Sequence, residues 1–217
     1  MKRVTWRGLL LSSALAFAAG FVDAIGFIET GGLFVSFMSG NSTQAGVELL
    51  GGEPSMAMMS VFLLLTFVLG VAAAGTLSLH ARDHRPYVVA VAGIAIGSVG
   101  VLELVGMHSA WSYGLVAAAM GAINTLYLED GRARVAITYA TGTLVSLGLA
   151  LAALLNGRSR TAWRRPLLLW GSLAVGALSG AAAHRFGAAA SLLAATAMLV
   201  VLAVTLAVRS GTRAPGR

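Results

Sequence analysis

Cysteine is absent from this chain, which excludes disulfides, thiolate metal sites and a cysteine nucleophile. Charge is scarce too. Only 11% of residues are charged, where soluble domains carry about 25%. Proline occurs four times, and Pro54 and Pro166 stand where a helix tolerates it, at a first turn. No Gly-x-Ser-x-Gly, His-Glu-x-x-His or phosphate-cradling glycine loop occurs. "DGRAR" at 130–134 imitates the start of a phosphatidyltransferase signature, but its Ala is misplaced and no acidic residue follows Asp130 to hold metal. His80 and His84 stand four apart around Asp83, a spacing that suits a metal on a helix. They lie in the short basic run "HARDHR", which reads better as a solvated loop. Neither an enzyme nor a metal or other cofactor is expected.

Apolar residues are abundant. Of the 217 residues 58% are hydrophobic, and the mean hydropathy is +0.85. Six stretches have the length of roughly 20 residues that a helix needs to cross a bilayer: 8–28, 56–79, 87–107, 109–128, 167–183 and 188–208. The alternation of a membrane β-barrel is not visible. The expected class is an all-α polytopic membrane protein whose first partner is the lipid bilayer. "MKRVTWRG" followed by "LLLSSALAFAAG" resembles a signal peptide. The apolar run continues to Ile28, however, so it reads as an uncleaved first helix.

The net charge of +7 and pI near 11.0 are read as topology signals, so no nucleic-acid partner is expected. Two further apolar segments, 33–51 and 135–155, either span or dip and return. If both dip, six spans remain with both termini cytoplasmic. Lys2, Arg3, Arg7, Arg82, Arg85, Arg132, Arg134, Arg158, Arg160, Arg164, Arg165, Arg209, Arg213 and Arg217 then face the cytoplasm and only Arg185 faces out. If both span, the split falls to ten against five. The positive-inside rule favours six spans and a bacterial inner membrane. Trp6, Tyr87, Trp111, Tyr113, Tyr127 and Trp163 fall at or near proposed span ends, where amphipathic rings anchor. The tail 209–217 reads as a disordered cytoplasmic end of a single membrane domain, 1–217.

The two halves resemble each other, which predicts a first repeat over 1–107 and a second over 108–208. Gly20 matches Gly121, Asp23 matches Asn124, and Ile25 matches Leu126. One residue of slip later, Ser36 meets Thr138, Phe37 meets Tyr139, Ser39 meets Thr141, and Gly40 meets Gly142. Further on, Leu63 can be set over Leu167, which places His80 on His184. Three spans per half is an odd number, so the second repeat must lie upside down, and the dipping segments enter from opposite faces. Inverted repeats of this kind surround midplane sites in many transporters.

The site residues are therefore sought where the halves break. Ser39-Gly40-Asn41-Ser42-Thr43 reads as a break at Gly40 followed by a helix start, with Asn41 or Ser42 as N-cap. Thr141-Gly142-Thr143 repeats that grammar. Two half-helix N-termini facing one cavity would suit an anion or an electronegative group. Asp23, deep in the first span, is a functional candidate by default because an intramembrane carboxylate is costly. Its counterpart Asn124 is the neutral isostere. The binding set is thus Asp23, Ser39, Gly40, Asn41, Ser42, Asn124, Thr141, Gly142 and Thr143. Asp23 could carry a proton, coordinate a cation or cap the first dipping segment; Glu48 and Glu103 rank below it. Gly70-x-x-x-Ala74, Gly93-x-x-x-Gly97 and Gly176-x-x-x-Gly180 allow close helix approach, within one subunit or in a homo-oligomer.

"GFVDAIGF", "GGLFVSFMSGNSTQAG", "AMGAINTLYL" and "TYATGTLVSLG" together resemble the YoaK-like family of bacterial membrane proteins, known chiefly as a domain of unknown function. The likeness covers nearly the whole chain. The family pattern has Thr where this chain has Ser39, and Gln where it has Ile123; the first change keeps a hydroxyl and the second removes an amide. The resemblance implies an inner-membrane protein of about six helices without an assigned activity. The expected function is passage of a small solute, an anion or a proton-coupled one, by a transporter or channel. The alternative is a membrane scaffold or assembly subunit whose polar breaks only pack helices.

Overall fold

The computed structural model describes residues 6–81, 83–126, 128–129, 132–133, 138 and 140–211. They form eight α-helices: α1 (Trp6–Glu29), α2 (Met38–Gly51), α3 (Pro54–His80), α4 (Arg85–Leu104), α5 (Tyr113–Ile123), α6 (Ala140–Leu155), α7 (Arg164–His184) and α8 (Ala188–Gly211). The only strands among the described residues are a two-residue antiparallel pair, Leu128–Glu129 with Arg132–Ala133, so the all-α expectation stands in substance.

Five helices are long and apolar enough to cross a membrane: α1, α3, α4, α7 and α8. They correspond to five of the six expected spans. The remaining one, 109–128, differs. It consists of a short 3-10 turn, Ala110–Ser112, and the 11-residue α5, after which the chain turns at Asn124. At 1.5 Å per residue, this stretch is shorter than a roughly 30 Å hydrocarbon core. Much of its apolarity serves burial. Tyr113, Val116, Ala117, Met120 and Ile123 are all nearly inaccessible. Tyr113 is accordingly a core residue and not an interfacial anchor, whereas Trp6, Tyr87 and Trp111 are exposed. Tyr127 lies outside the described residues. Arg209–Gly211, placed by the sequence in a loose tail, continue α8; the rest of that tail lies outside the described residues.

Helix pairing follows a pattern that recurs between the halves. The partner of α1 is α7, and that of α5 is α3; α2 packs on α3 and α6 on α7; α4 touches α5 as α8 touches α1; α4 and α8 cross each other. Glycine lets the backbones approach. A Cβ on Gly20 would lie 2.1 Å from the Leu173 carbonyl oxygen, and one on Gly121 would lie 2.1 Å from that of Phe67. Gly176 meets the Phe17 carbonyl at 2.1 Å as Gly70 meets the Ala118 carbonyl at 1.9 Å. The crossings set Phe67 over Leu173, whereas aligning Leu63 with Leu167 puts Phe67 over Gly171. That alignment of the third segments was two residues out, so His80 and His184 are not counterparts. Runs of Leu and Ala carry no register of their own, and backbone contact supplies it.

All three small-residue spacings are used inside one chain. The Gly70 motif lies on α5, the Gly176–Gly180 motif on α1, and Gly93–Gly97 against Thr196 and Leu199 of α8. The faces that sequence offered for a homo-oligomer are occupied.

Ends of helices meet at two levels. At the first, Glu29 of α1 bonds His184 of α7 at 2.5 Å, and Phe62 in the first third of α3 packs on Trp111 before α5. Glu103 at the end of α4 bonds His108. At the second, His84 reaches the Thr125 carbonyl after α5, and Ser210 of α8 donates to Asp83 before α4. Thus α1 ends and α3 begins at the first end, and α5 ends and α7 begins at the second. At about 21 Å, the 14-residue α2 is too short to cross the core.

Candidate functional site

Between α1 and α2 the chain passes Gly31 and Gly32, both at positive φ, where only glycine avoids strain. Thr30 locks the turn: its hydroxyl donates to the Gly26 carbonyl at 2.7 Å and accepts the Leu33 N–H at 3.1 Å. The chain then folds back along α1. Val35 packs on Gly26, where a Cβ would lie 2.6 Å from it. The backbone N–H groups of Val35 and Ser36 both donate to one carboxylate oxygen of Asp23 at 2.8 Å, and the Ser36 hydroxyl donates to the other at 3.0 Å. Asp23 lies six residues before the end of α1, about 9 Å down its axis. The loop has thus been drawn that far back into the bundle before α2 begins.

The second half repeats the arrangement with an amide. The Asn124 side-chain oxygen accepts from both the N–H and the hydroxyl of Thr138 at 3.3 Å, while its nitrogen donates to the Met120 carbonyl at 2.9 Å. The correspondences of Asp23 with Asn124 and of Ser36 with Thr138, read from sequence, are realised as two like hydrogen-bonded clasps.

One cavity of about 450 Å³ joins them. Asp23 and Ser36 line it from the first half and Thr138 and Ala140 from the second, with Phe34 and Phe37 beside α2 and Ala177 on α7. Phe37 immediately precedes α2 and Ala140 opens α6. Two short helices therefore begin at one cavity, and Asp23 provides its charge among the lining residues.

The predicted residues divide. Asp23 lines the cavity, and Asn124 holds one of its walls through Thr138. Asn41 does not line it. Its side chain is fully buried and bridges Phe34, accepting the N–H at 2.8 Å and donating to the carbonyl at 2.6 Å. It pins the loop to α2. Nor is Asn41 or Ser42 an N-cap, because α2 starts at Met38; Ser42 instead donates to the Met38 carbonyl at 2.9 Å. Gly40 is helical and makes room for rings, since a Cβ there would lie 2.8 Å from Phe37 and 3.0 Å from Phe34. The break expected at Gly40 lies earlier, at 30–37. Likewise Thr141, Gly142 and Thr143 fall within α6. Ser39 and Thr141 are exposed.

Ser36, Thr138 and the two Phe residues were not nominated from sequence. The signal available was the hydroxyl match of Ser36 with Thr138. Glu48 holds Gln44 and the Glu53 N–H, and Glu103 is buried against His108. His80 and His84 each bond a backbone carbonyl. No group of three potential metal ligands occurs among the described residues.

No solved structure matches the chain. It is 34% identical over 176 residues to a UPF0700 transmembrane protein of Rhizobium meliloti (strain 1021), covering 80% of this chain and 75% of that protein. The family model described as "Protein of unknown function (DUF1275)" matches residues 11–205. On that match, which covers most of the chain, this chain belongs to the DUF1275 family.

Proposed function

We propose that the protein moves a small solute through the cavity between its halves, as a carrier or channel, with Asp23 as the ionisable group. The observation that carries this reading is the cavity itself, lined by the clasped loops of both halves. In this reading six helices cross the bilayer, α5 with its 3-10 turn being the thin one, and the halves form inverted repeats. The segments 33–51 and 135–155 dip in from opposite faces. Irregular backbone at membrane depth is tolerated where it lines a cavity, and sites between inverted repeats are a recurring transporter design. The arginines at 158, 160, 164, 165 and 209 share the end where α7 starts and α8 finishes, with Arg185 at the other. The positive-inside rule makes that first group cytoplasmic, with both termini, in the bacterial inner membrane.

Of the two solute classes read from the sequence, the proton-coupled one fits better. Asp23 already accepts the Val35 and Ser36 N–H groups just before α2, so a second anion there would meet its charge. A hydrogen bond to a charged acceptor is worth about 1.5–3 kcal/mol against about 1 for a neutral one. Protonation of Asp23 would therefore loosen the 34–37 wall by about 1–2 kcal/mol. Asn124 cannot respond in that way.

The test is stopped-flow flux into proteoliposomes with a panel of small neutral, anionic and cationic solutes and an internal pH dye. A solute admitted above protein-free vesicles, with its proton movement lost in Asp23→Asn, is the expected result. No flux for any solute would contradict it. A second reading, a membrane scaffold, is favoured by the dry pairing of Asn41 with Phe34. It predicts an intact fold with no flux.

A further inference from the structure

The end of the bundle where α7 begins carries a run of positive charge. Arg158, Arg160, Arg164 and Arg165 fall within eight residues, in a half of the chain with no acidic residue beyond Asp130. None of the four makes an ion pair among the described residues. The local chain is nonetheless ordered. The Trp163 indole N–H donates to the Arg160 carbonyl at 3.1 Å, and the Arg164 guanidinium carbon stands 5.9 Å from the Trp163 ring centre.

From this pair a groove of about 470 Å³ runs along α7. Trp163 and Arg164 stand at its cationic end, and Leu168, Gly171 and Val175, with Phe17 of α1, form its apolar length. Gly171 keeps it open, since a Cβ there would meet nothing within 4 Å. Between Arg164 and Val175 the helix climbs about 16 Å, a length suited to an extended alkyl chain. A free inorganic anion would use only the arginines. An acidic soluble partner would leave the apolar length empty.

We infer that this groove seats an anionic phospholipid, its phosphate on the arginine cluster and one acyl chain beside Gly171. Basic pockets between membrane helices hold acidic headgroups by this combination of charge and apolar contact. The seat stands apart from the central cavity and does not depend on transport.

Native mass spectrometry of the full chain, released from nanodiscs holding equal phosphatidylglycerol and phosphatidylcholine of matched chain length, tests it. Phosphatidylglycerol is expected to stay bound in preference. Replacement of both Arg164→Gln and Arg165→Gln should cut that preference roughly tenfold or more, and the two Lys replacements should keep most of it. Gly171→Phe should reduce retention of bound lipid although every charge remains. Millimolar inorganic phosphate should not displace the lipid. Equal retention of the two lipids, an unchanged preference in the Gln variant, or displacement by phosphate would each overturn the assignment. If the Gln variant does not fold, the Lys variant, Gly171→Phe and the phosphate competition decide it.

Discussion

Asp23 and Asn124 occupy matching places in the two halves, and each fastens a returning loop to the helix behind it. In the first clasp a carboxylate takes two backbone N–H groups and a hydroxyl at 2.8–3.0 Å. In the second an amide oxygen takes one N–H and one hydroxyl at 3.3 Å. Since only the first acceptor is an acid, the halves share a shape and differ in chemistry. A proton can act on the wall nearest Asp23 and has no purchase on the other. The two clasps share a geometry, while the difference between a carboxylate and an amide decides which of them can take up a proton.

The equivalence of the halves is most vulnerable at the helix crossings. Gly70→Ala and Gly176→Ala would each place a methyl about 2 Å from a backbone carbonyl oxygen. Each should cost about 1–3 kcal/mol or more, lowering the thermal midpoint in detergent by similar amounts. Grossly unequal losses would mean that the crossings are not equivalent. Asn41→Ala should cost about 1–3 kcal/mol, because it leaves both polar groups of the Phe34 backbone unpaired. Faster proteolysis at 30–37 would report it.

A smaller effect is expected from exchanging the clasp residues. Asp23→Asn should cost about 1 kcal/mol while abolishing proton movement. Asn124→Asp should introduce a second pH-sensitive step if the halves are interchangeable. The smallest effect lies outside the membrane. Hydrogen bonds from Arg85 hold the Asp83 carboxyl well below its ordinary value of 3.8, and its stabilisation is therefore complete above that value and lost as pH falls below it. The pair is partly exposed, so Asp83→Asn should cost at most about 1 kcal/mol, and unfolding of that variant should be less sensitive to acid.

Hydropathy and charge located α1, α3, α4, α7 and α8, because a run of some twenty apolar residues has few alternatives in a long helix. At 109–128 the same reading overstated the length, since the helix there is only α5 with its 3-10 turn. Apolarity in that stretch also reflects burial of Tyr113 to Ile123 among other helices, and composition does not separate burial from exposure to lipid. The pairing of the clasp residues was legible, though not the clasps themselves, because polar matches such as Asp23 with Asn124 and Ser36 with Thr138 stand out from an apolar background. The helix starts were placed too late. The sequence offered Gly40 and Asn41 as a break, whereas Gly31 and Gly32 make the turn. Capping of the first dipping segment was one of three roles read for Asp23, and the structure has it accept from Val35 and Ser36 in the loop that leads into α2. A cap supplied from twelve residues away leaves no local signature of where the helix begins.

The transport proposed above requires that the two clasped loops enter from opposite faces and flank one solvent-reached cavity. The chain has no cysteine, so single cysteines at Ser39 and Thr141 can be probed directly with a membrane-impermeant thiol reagent applied to each face of sealed vesicles. Ser39→Cys is expected to be labelled only from the face opposite the termini, and Thr141→Cys only from the face of the termini. Labelling of both from one face, or protection of both from either face, would contradict the opposed entry of the loops.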